Sequence, residues 1–586
     1  MIFRSLASIS SLALIVILAS QTKADADPYG LNSYNKIVVI YDENHSFDNL
    51  YGMWGSVGYD AVDGLPNALM IQNNLRRIQV RQNNSTPYQC LLQLDVNLTS
   101  PSPLTPSCTD NTGTTFTSHF VNAPFQIDPY IPASYWTCPV PGYYAANGIL
   151  NTNPPNANAT PGGCTRDIVH RFYNEQYQIN GGMQNRYVTG SDASGLSMGY
   201  YDTTALPFYK YLHSSNAPNY VILDKFFQSA FGGSFLNHQW LIASKTPTFT
   251  YAGQYAPSSP YYQHSVIDTN GMPTATPLYA PTIQGVADRA LTATCDQATL
   301  PTGAVCGDYA VNTIQPFSWP YSPGTADQKR LPPQNYDTIG DSLTNQGVDW
   351  AWYSGGWSNA NGYTDQPGWT NGAGPKCSDP YADTSMPFPF CPDKDFQYHH
   401  QPLNYFAKYA RPSSPLDPSN YGPPDRMKHL KDEAEFIQLA QKGGLKPVSF
   451  VKPIGEANEH PGYASVPHGN SHLTYLVDTI LSGPDGNQTL IIITYDEFGG
   501  AWDHVSPPSN NNNLAPHDQW GPGTRIPAIV VAKNIRASWI DHTYYDTTSI
   551  LKTIELRFGL PPLDGGARRE YSVNALQNAA GPSRRW

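Results

Sequence analysis

The chain is 586 residues long, with a formal charge of −12 and an isoelectric point near 5.6. That acidic balance, with no basic run long enough to follow a phosphate backbone, argues against nucleic-acid binding driven by counterion release. With 40% apolar residues the chain is too hydrophobic for general disorder, while 53 prolines, 47 glycines and 39 tyrosines make it loop-rich and aromatic.

At the amino end, Arg4 precedes an apolar stretch from Leu6 to Ala19, and Thr22-Lys23-Ala24 offers small residues for cleavage. A positive start, a short apolar core and a small-residue exit form a secretory signal, shorter than the roughly 20 residues that span a bilayer. Residues 1–24 are therefore expected to be a signal peptide, leaving a secreted, soluble chain with no stable membrane insertion. All eight cysteines lie beyond it, none in a Cys-x-x-Cys pair. An even count in an exported chain predicts disulfides, expected here in sequential pairing: 90–108, 138–164, 295–306 and 377–391. Sequons at Asn83, Asn84, Asn97, Asn158 and Asn487 should be surface positions, and Asn44-His45-Ser46 is a sixth match.

The first apolar run is Lys36–Ile40, followed much later by Pro447–Val451, Leu490–Thr494 and Ile526–Val531. Continuous β-branched runs suit strands covered on both faces. Helical spacing lies between them. Asp425 is placed to cap a helix carrying Met427, Leu430, Ala434 and Ile437 on its apolar face, stopped by Gly443-Gly444. His472–Leu481 repeats the spacing, and Thr548–Phe558 ends at Gly559 and Pro561. Helix and strand alternating across 425–495 predict an α/β fold, a mostly parallel central sheet flanked by helices. The segments near 80–165 and 250–335 hold six of the eight cysteines and read as disulfide-pinned insertions. A single large domain over 25–586 is expected to carry them.

In an open α/β sheet, ligands gather beyond the carboxyl ends of the strands. Two predicted strands end in acids there: Asp42-Glu43-Asn44-His45 after the first, and Asp496-Glu497 after Leu490–Thr494, with Asp503-His504 following. Carboxylates at neighbouring strand ends repel unless a cation lies between them, and oxygen ligands of this kind bind hard metals. Taken singly, either segment is equally a helix cap. A third segment, Gly232-Gly233-Ser234, lets the backbone turn tightly and present a serine as nucleophile. Phe235 and Leu236 follow Ser234, so the Gly-x-Ser-x-Gly elbow of the α/β-hydrolases is not met.

At these residues the chain resembles the phosphoesterase family that groups bacterial phospholipase C with acid phosphatase A, in the alkaline phosphatase-like superfamily. The resemblance is carried by Lys36–Gly52, by Asp167–His170 through Asn180–Gly182, by Gly232–His238, and by Thr494–Gly500 with Asp503–Pro508. Arg525–Ala528 and Arg557–Pro561 also match. It implies one divalent metal on Glu43, Asn44, Asp496 and Glu497, with Ser234 both ligand and nucleophile. Asn44 in such a site would carry no glycan. Ligands without sulfur or imidazole favour Ca²⁺, Mg²⁺ or Mn²⁺, with Zn²⁺ also compatible. Serine at the nucleophile, with Phe396–Pro402 and Glu456–Gly462, is more similar to the acid phosphatase branch. His400 and His460 would then act on phosphate and leaving group, and His170, His238, His399 and His504 would line the substrate site.

The function this implies is a secreted, metal-dependent acid phosphatase that hydrolyses small phosphate monoesters through a phosphoserine on Ser234. The alternative is a phospholipase C cleaving lipid head-group diesters. Positive charge on the His399-His400 and His460 segments is expected below the ordinary histidine pKa of about 6.5.

Overall fold

The computed structural model describes residues 30–69, 78–80, 86–91, 105–109, 115–118, 120–128, 165, 167–191, 194–249, 265–268, 304–307, 309–411, 422–462 and 464–581. The segment expected to be a signal peptide, most of both expected insertions, and Asn83, Asn84, Asn97 and Asn158 lie outside them.

The apolar runs build one eight-stranded sheet. Its strands are β1 (Lys36–Asp42), β2 (Tyr220–Leu223), β3 (Trp350–Ser354), β4 (Leu430–Lys431), β5 (Val448–Lys452), β6 (Thr489–Tyr495), β7 (Ala528–Val531) and β8 (Trp539–Asp541). Their order across the sheet is β4-β3-β5-β1-β6-β7-β2-β8. Only β7 runs antiparallel to its neighbours, so the mostly parallel expectation holds.

Alternation along the strands explains why the runs are continuously apolar. Ile37, Val39 and Tyr41 of β1 face one core, and Val38 and Ile40 face the other. Leu490 and Ile492 of β6 divide from Ile491 and Ile493 in the same way. Helix α1 (Phe172–Ile179), α2 (Ser234–Ala243) and α5 (Thr548–Phe558) cover the first face. Helices α3 (Glu433–Lys442) and α4 (Val466–Ser482) cover the second, with Leu473, Leu476, Val477 and Ile480 fully buried. Burying each such side chain contributes about 1.5–3 kcal/mol, which exceeds what helix propensity supplies.

Two expectations need correction. The helix expected from Asp425 is broken: Leu430–Lys431 leave it to pair with Trp352–Tyr353 at the sheet edge. Asp432, not Asp425, then caps α3, one carboxylate oxygen accepting from Ala434 N at 3.0 Å and the other from Ser358 N at 2.9 Å. The run from Ile526 becomes strand only from Ala528, because Ile526 N is already bonded to Phe226 O at 2.9 Å and Pro527 has no N–H to give. Helix α5 has the expected limits and ends at left-handed Gly559, while α4 begins earlier than expected, capped by Ser465. The Cys377–Cys391 disulfide is formed and Cys90 is disulfide-bonded. The other expected pairings involve side chains outside the described residues. Asn487 is exposed and Asn44 buried.

Candidate active site

The carboxyl ends of β1, β5 and β6 lie side by side and deliver Glu43, Lys452 and Asp496-Glu497 to one point. Ser234 reaches the same point from the first turn of α2. Its Oγ donates to Glu43 Oε2 at 3.1 Å and lies 3.4 Å from Asn44 Oδ1. The turn before it is tightly fixed. Gly232 has φ +89, and a Cβ there would lie 2.5 Å from the backbone nitrogen of Phe172. Buried Glu175 accepts from Gly232 N at 2.6 Å, and Asn237 accepts from Ala230 N at 2.9 Å while donating to Ala230 O at 3.0 Å. Asn237 thus braces the loop from one helical turn beyond Ser234.

Asn44 is held in the left-handed region, φ 61, with its N–H on Asp496 Oδ1 at 3.0 Å. Its amide orientation follows from two histidines. His460 Nδ1 donates to Pro461 O at 2.6 Å and His170 Nδ1 to Ile168 O at 2.6 Å, since a carbonyl can only accept. In the neutral rings both Nε2 atoms are therefore lone pairs, and Asn44 Nδ2 faces them at 3.1 and 3.5 Å. That leaves Asn44 Oδ1 turned toward Ser234.

The donor set fits a metal. Asp496 Oδ1 is already used by backbone N–H groups, and its Oδ2 is buried with no hydrogen-bond partner among the described residues. Glu497 Oε2 accepts from Gly499 N at 2.7 Å, and its Oε1 is buried and equally unpartnered. His170 Nε2, a lone pair, lies 3.5 Å from that oxygen, a juxtaposition that calls for a cation or proton between them. Burial pushes Asp496 and Glu497 well above the usual carboxylate range, and repulsion among Glu43, Asp496 and Glu497 adds to it. A divalent cation would reverse that balance.

Glu43 behaves differently. Burial opposes its ionisation, yet the Lys452 charge, with the hydrogen bond from His400, outweighs burial and holds it well below the usual range. Lys452 Nζ lies 2.6 Å from Glu43 Oε1 and His400 Nε2 lies 2.5 Å from it. Lys452 is fully buried and escaped the sequence reading. The available signal was its place as the last residue of a strand beside the acid-bearing one.

Of the histidines, His170, His400 and His460 lie at the site, with Ser234 and His460 only slightly exposed and His170 more open. His399 lies beside His400 and Glu43. His238 is fully buried behind Ser234, donating from Nδ1 to the Ser234 carbonyl at 2.7 Å and stacking on His400 at 5.4 Å. His504 is engaged elsewhere. Its Nδ1 meets Asp48 Oδ2 at 2.6 Å and its Nε2 meets Asp63 Oδ1 at 3.0 Å, in a network closed by Arg525 on Asp48 and Asp503. The expected positive charge on His399 and His400 is also corrected: burial drives His399 well below its ordinary value and His400 to about 4. The fixed cation here is Lys452.

The phosphoesterase family model matches residues 135–561 of this chain. The chain belongs to the phosphoesterase family. Among its phosphoesterase relatives, a non-hemolytic phospholipase C of Burkholderia pseudomallei is 31% identical over 185 residues, 28% of this chain and 26% of that protein. Phospholipase C B of Mycobacterium tuberculosis is 27% identical over 201 residues, 31% of this chain and 35% of the relative. Non-specific phospholipase C6 of Arabidopsis thaliana is 28% identical over 154 residues, 22% and 29% of the two chains. The matched region thus spans about a third or less of each relative's length. A crystal structure of a protein in the alkaline phosphatase superfamily from Vibrio parahaemolyticus aligns over 42% of this chain and 51% of its own, with 15% identity and a TM-score of 0.22.

Proposed function

We propose that this phosphoesterase hydrolyses phosphate monoesters, attacking phosphorus with Ser234 Oγ. The observation that carries the reading is a serine hydroxyl at a helix start, 3.1 Å from Glu43 and 3.4 Å from Asn44, beside unpartnered oxygens of Asp496 and Glu497. Glu43, Asn44, Ser234, Asp496 and Glu497 would hold one divalent ion. When bound, it supplies positive charge that lowers the serine pKa and neutralises phosphoryl oxygens. Oxygen ligands favour Ca²⁺, Mg²⁺ or Mn²⁺, and the bordering imidazoles keep Zn²⁺ compatible.

The chain's own groups do the rest. Ser234 Oγ loses its proton to water and attacks in line, so that an O–P bond forms as the bond to the leaving oxygen breaks. The first-turn amides of α2, which have no acceptor within the helix, face the phosphoryl group from the positive end of the dipole. His460 and His170 hold Nε2 beside Asn44, at 3.1 and 3.5 Å from its Nδ2, where a protonated ring would be placed to give the leaving alkoxide its proton. Water then attacks the phosphoserine, releasing phosphate and restoring the serine. Most of the rate enhancement in such transfers comes from positioning and electrostatics.

The names of the relatives favour a second reading, cleavage of a lipid head-group diester. A divalent ion held by these oxygens would support the monoester, because a dianion gains more than a monoanion from fixed positive charge. Steady-state kinetics on p-nitrophenyl phosphate and p-nitrophenyl phosphorylcholine test this. A higher kcat/KM for the choline diester would overturn the monoester reading and leave attack by Ser234 standing.

A further inference from the structure

A second group of oxygen ligands lies apart from Ser234, on the two segments that lead to the site histidines. Asp393 and Asp395 follow the Cys377–Cys391 disulfide in a stretch that continues to His399 and His400. Glu456 lies in the short turn Gly455–Ala457, which leads to His460. Each of the three acids brings a carboxylate oxygen to within 4.8 Å of the others. Asp393 and Asp395 are 8% and 1% exposed, and Glu456 is half-buried. Asp395 Oδ2 and Glu456 Oε2 are buried with no hydrogen-bond partner among the described residues. The contact between the segments is close, since a Cβ on Gly455 would lie 2.4 Å from the Asp395 carbonyl oxygen.

Three carboxylates gathered this way repel one another and lose hydration. Burial pushes Asp393 to about 6 and Asp395 and Glu456 to about 7; repulsion from Asp393 and Glu456 adds to it at Asp395, from Asp393 and Asp379 at Glu456, and from Asp379 at Asp393, with exposed Lys394 relieving the aspartates only in part. Two buried oxygens with no donor among the described residues mark an acceptor-only pocket, and a cation both satisfies such oxygens and offsets their like charges, which a neutral donor does not.

We propose that Asp393, Asp395 and Glu456 bind a calcium ion that fastens the segment carrying His399 and His400 to the one carrying His460. Oxygen-only ligands select a hard cation. Ca²⁺ accepts an irregular set of mono- and bidentate carboxylates, whereas Mg²⁺ demands near-ideal octahedral geometry and keeps several of its waters. The ion would act on position alone, since it touches neither Ser234 nor its ligands.

The test uses the full-length protein. Bound calcium is measured by equilibrium dialysis with elemental analysis, and thermal unfolding is followed with calcium and with a chelator. Asp496→Asn, which impairs the Ser234 site, is expected to keep a bound calcium and a calcium-dependent rise in Tm. Asp395→Asn and Glu456→Gln are expected to lose that ion, binding calcium at least about tenfold more weakly, and to lose the corresponding part of the rise. Glu456 is half-buried, so Glu456→Gln carries the comparison with wild type alone if Asp395→Asn does not fold. Calcium stoichiometry and calcium-dependent Tm equal to wild type in Glu456→Gln would overturn the proposal.

Discussion

Ser234, Glu43 and Lys452 form a chain of contacts in which each group conditions the next. Lys452 keeps Glu43 ionised despite full burial, and ionised Glu43 accepts from the serine hydroxyl. Ser234→Ala removes only one oxygen from this chain, so it is expected to lower kcat by at least about a thousandfold with circular dichroism and Tm near wild type. A folded variant retaining a substantial fraction of activity would refute the nucleophile. His504 makes a different kind of contribution. Burial disfavours its charge, but Asp48 and the hydrogen bonds to Asp48 and Asp63 outweigh burial and raise it to about 9. A raised histidine stabilises the fold fully below its unfolded value near 6.5, and that contribution is lost as pH rises through about 9. His504→Asn is therefore expected to lower stability at pH 6 by roughly 2–3 kcal/mol and to flatten the Tm profile between pH 6.5 and 9. An unchanged slope over that range would show that His504 does not carry the charge.

At the scale of elements, the site depends on how α2 begins. Gly232 takes φ +89 against the backbone of Phe172, and the first residue of the helix proper is Ser234, the proposed nucleophile. Any β-carbon at Gly232 must push apart the loop and the start of α1. Gly232→Ala is expected to cost about 2–4 kcal/mol in stability and to reduce kcat by a hundredfold or more, because a shift near 1 Å suffices to misplace a reacting atom. Parallel measurements of Tm and kcat check it, and wild-type kcat would contradict the role given to the turn. The same logic explains the break before α3. Asp432 can cap α3 and also accept from Ser358 N, and that double use fixes the helix start where periodicity alone placed a continuous helix.

For the molecule as a whole, the sheet brings acids to the carboxyl ends of β1 and β6, two adjacent central strands, and the proposed divalent ion would relieve their mutual repulsion. Removing metal by chelation is expected to abolish turnover and to lower Tm by several degrees, with Ca²⁺, Mg²⁺ or Mn²⁺ restoring both. Elemental analysis that finds no metal in fully active protein would contradict the assignment of Asp496 and Glu497 as ligands.

The sequence by itself determined the elements whose signals are local. Continuous apolar runs marked β1, β5 and β6, because a strand buried on both faces needs no polar alternation. Glycine and proline marked the end of α5, and acids at strand ends together with Gly232-Gly233-Ser234 marked the site, since strand ends are where an α/β sheet binds. Tertiary structure decided what depends on partners distant in the chain. Strand β3, with the sequence Trp-Ala-Trp-Tyr-Ser, lacks a β-branched run and is a strand because β4 and β5 pair with it. Lys452 is chemically defined only by Glu43, which comes from a neighbouring strand far away in sequence. The histidines divided for the same reason: the residue type allowed every role, and burial and nearest carboxylate chose among them. His400 met Glu43 at the site, while His504 met Asp48 and Asp63 and became part of the fold's charge network. A titratable side chain takes its charge from what surrounds it, and those surroundings exist only once the chain is folded.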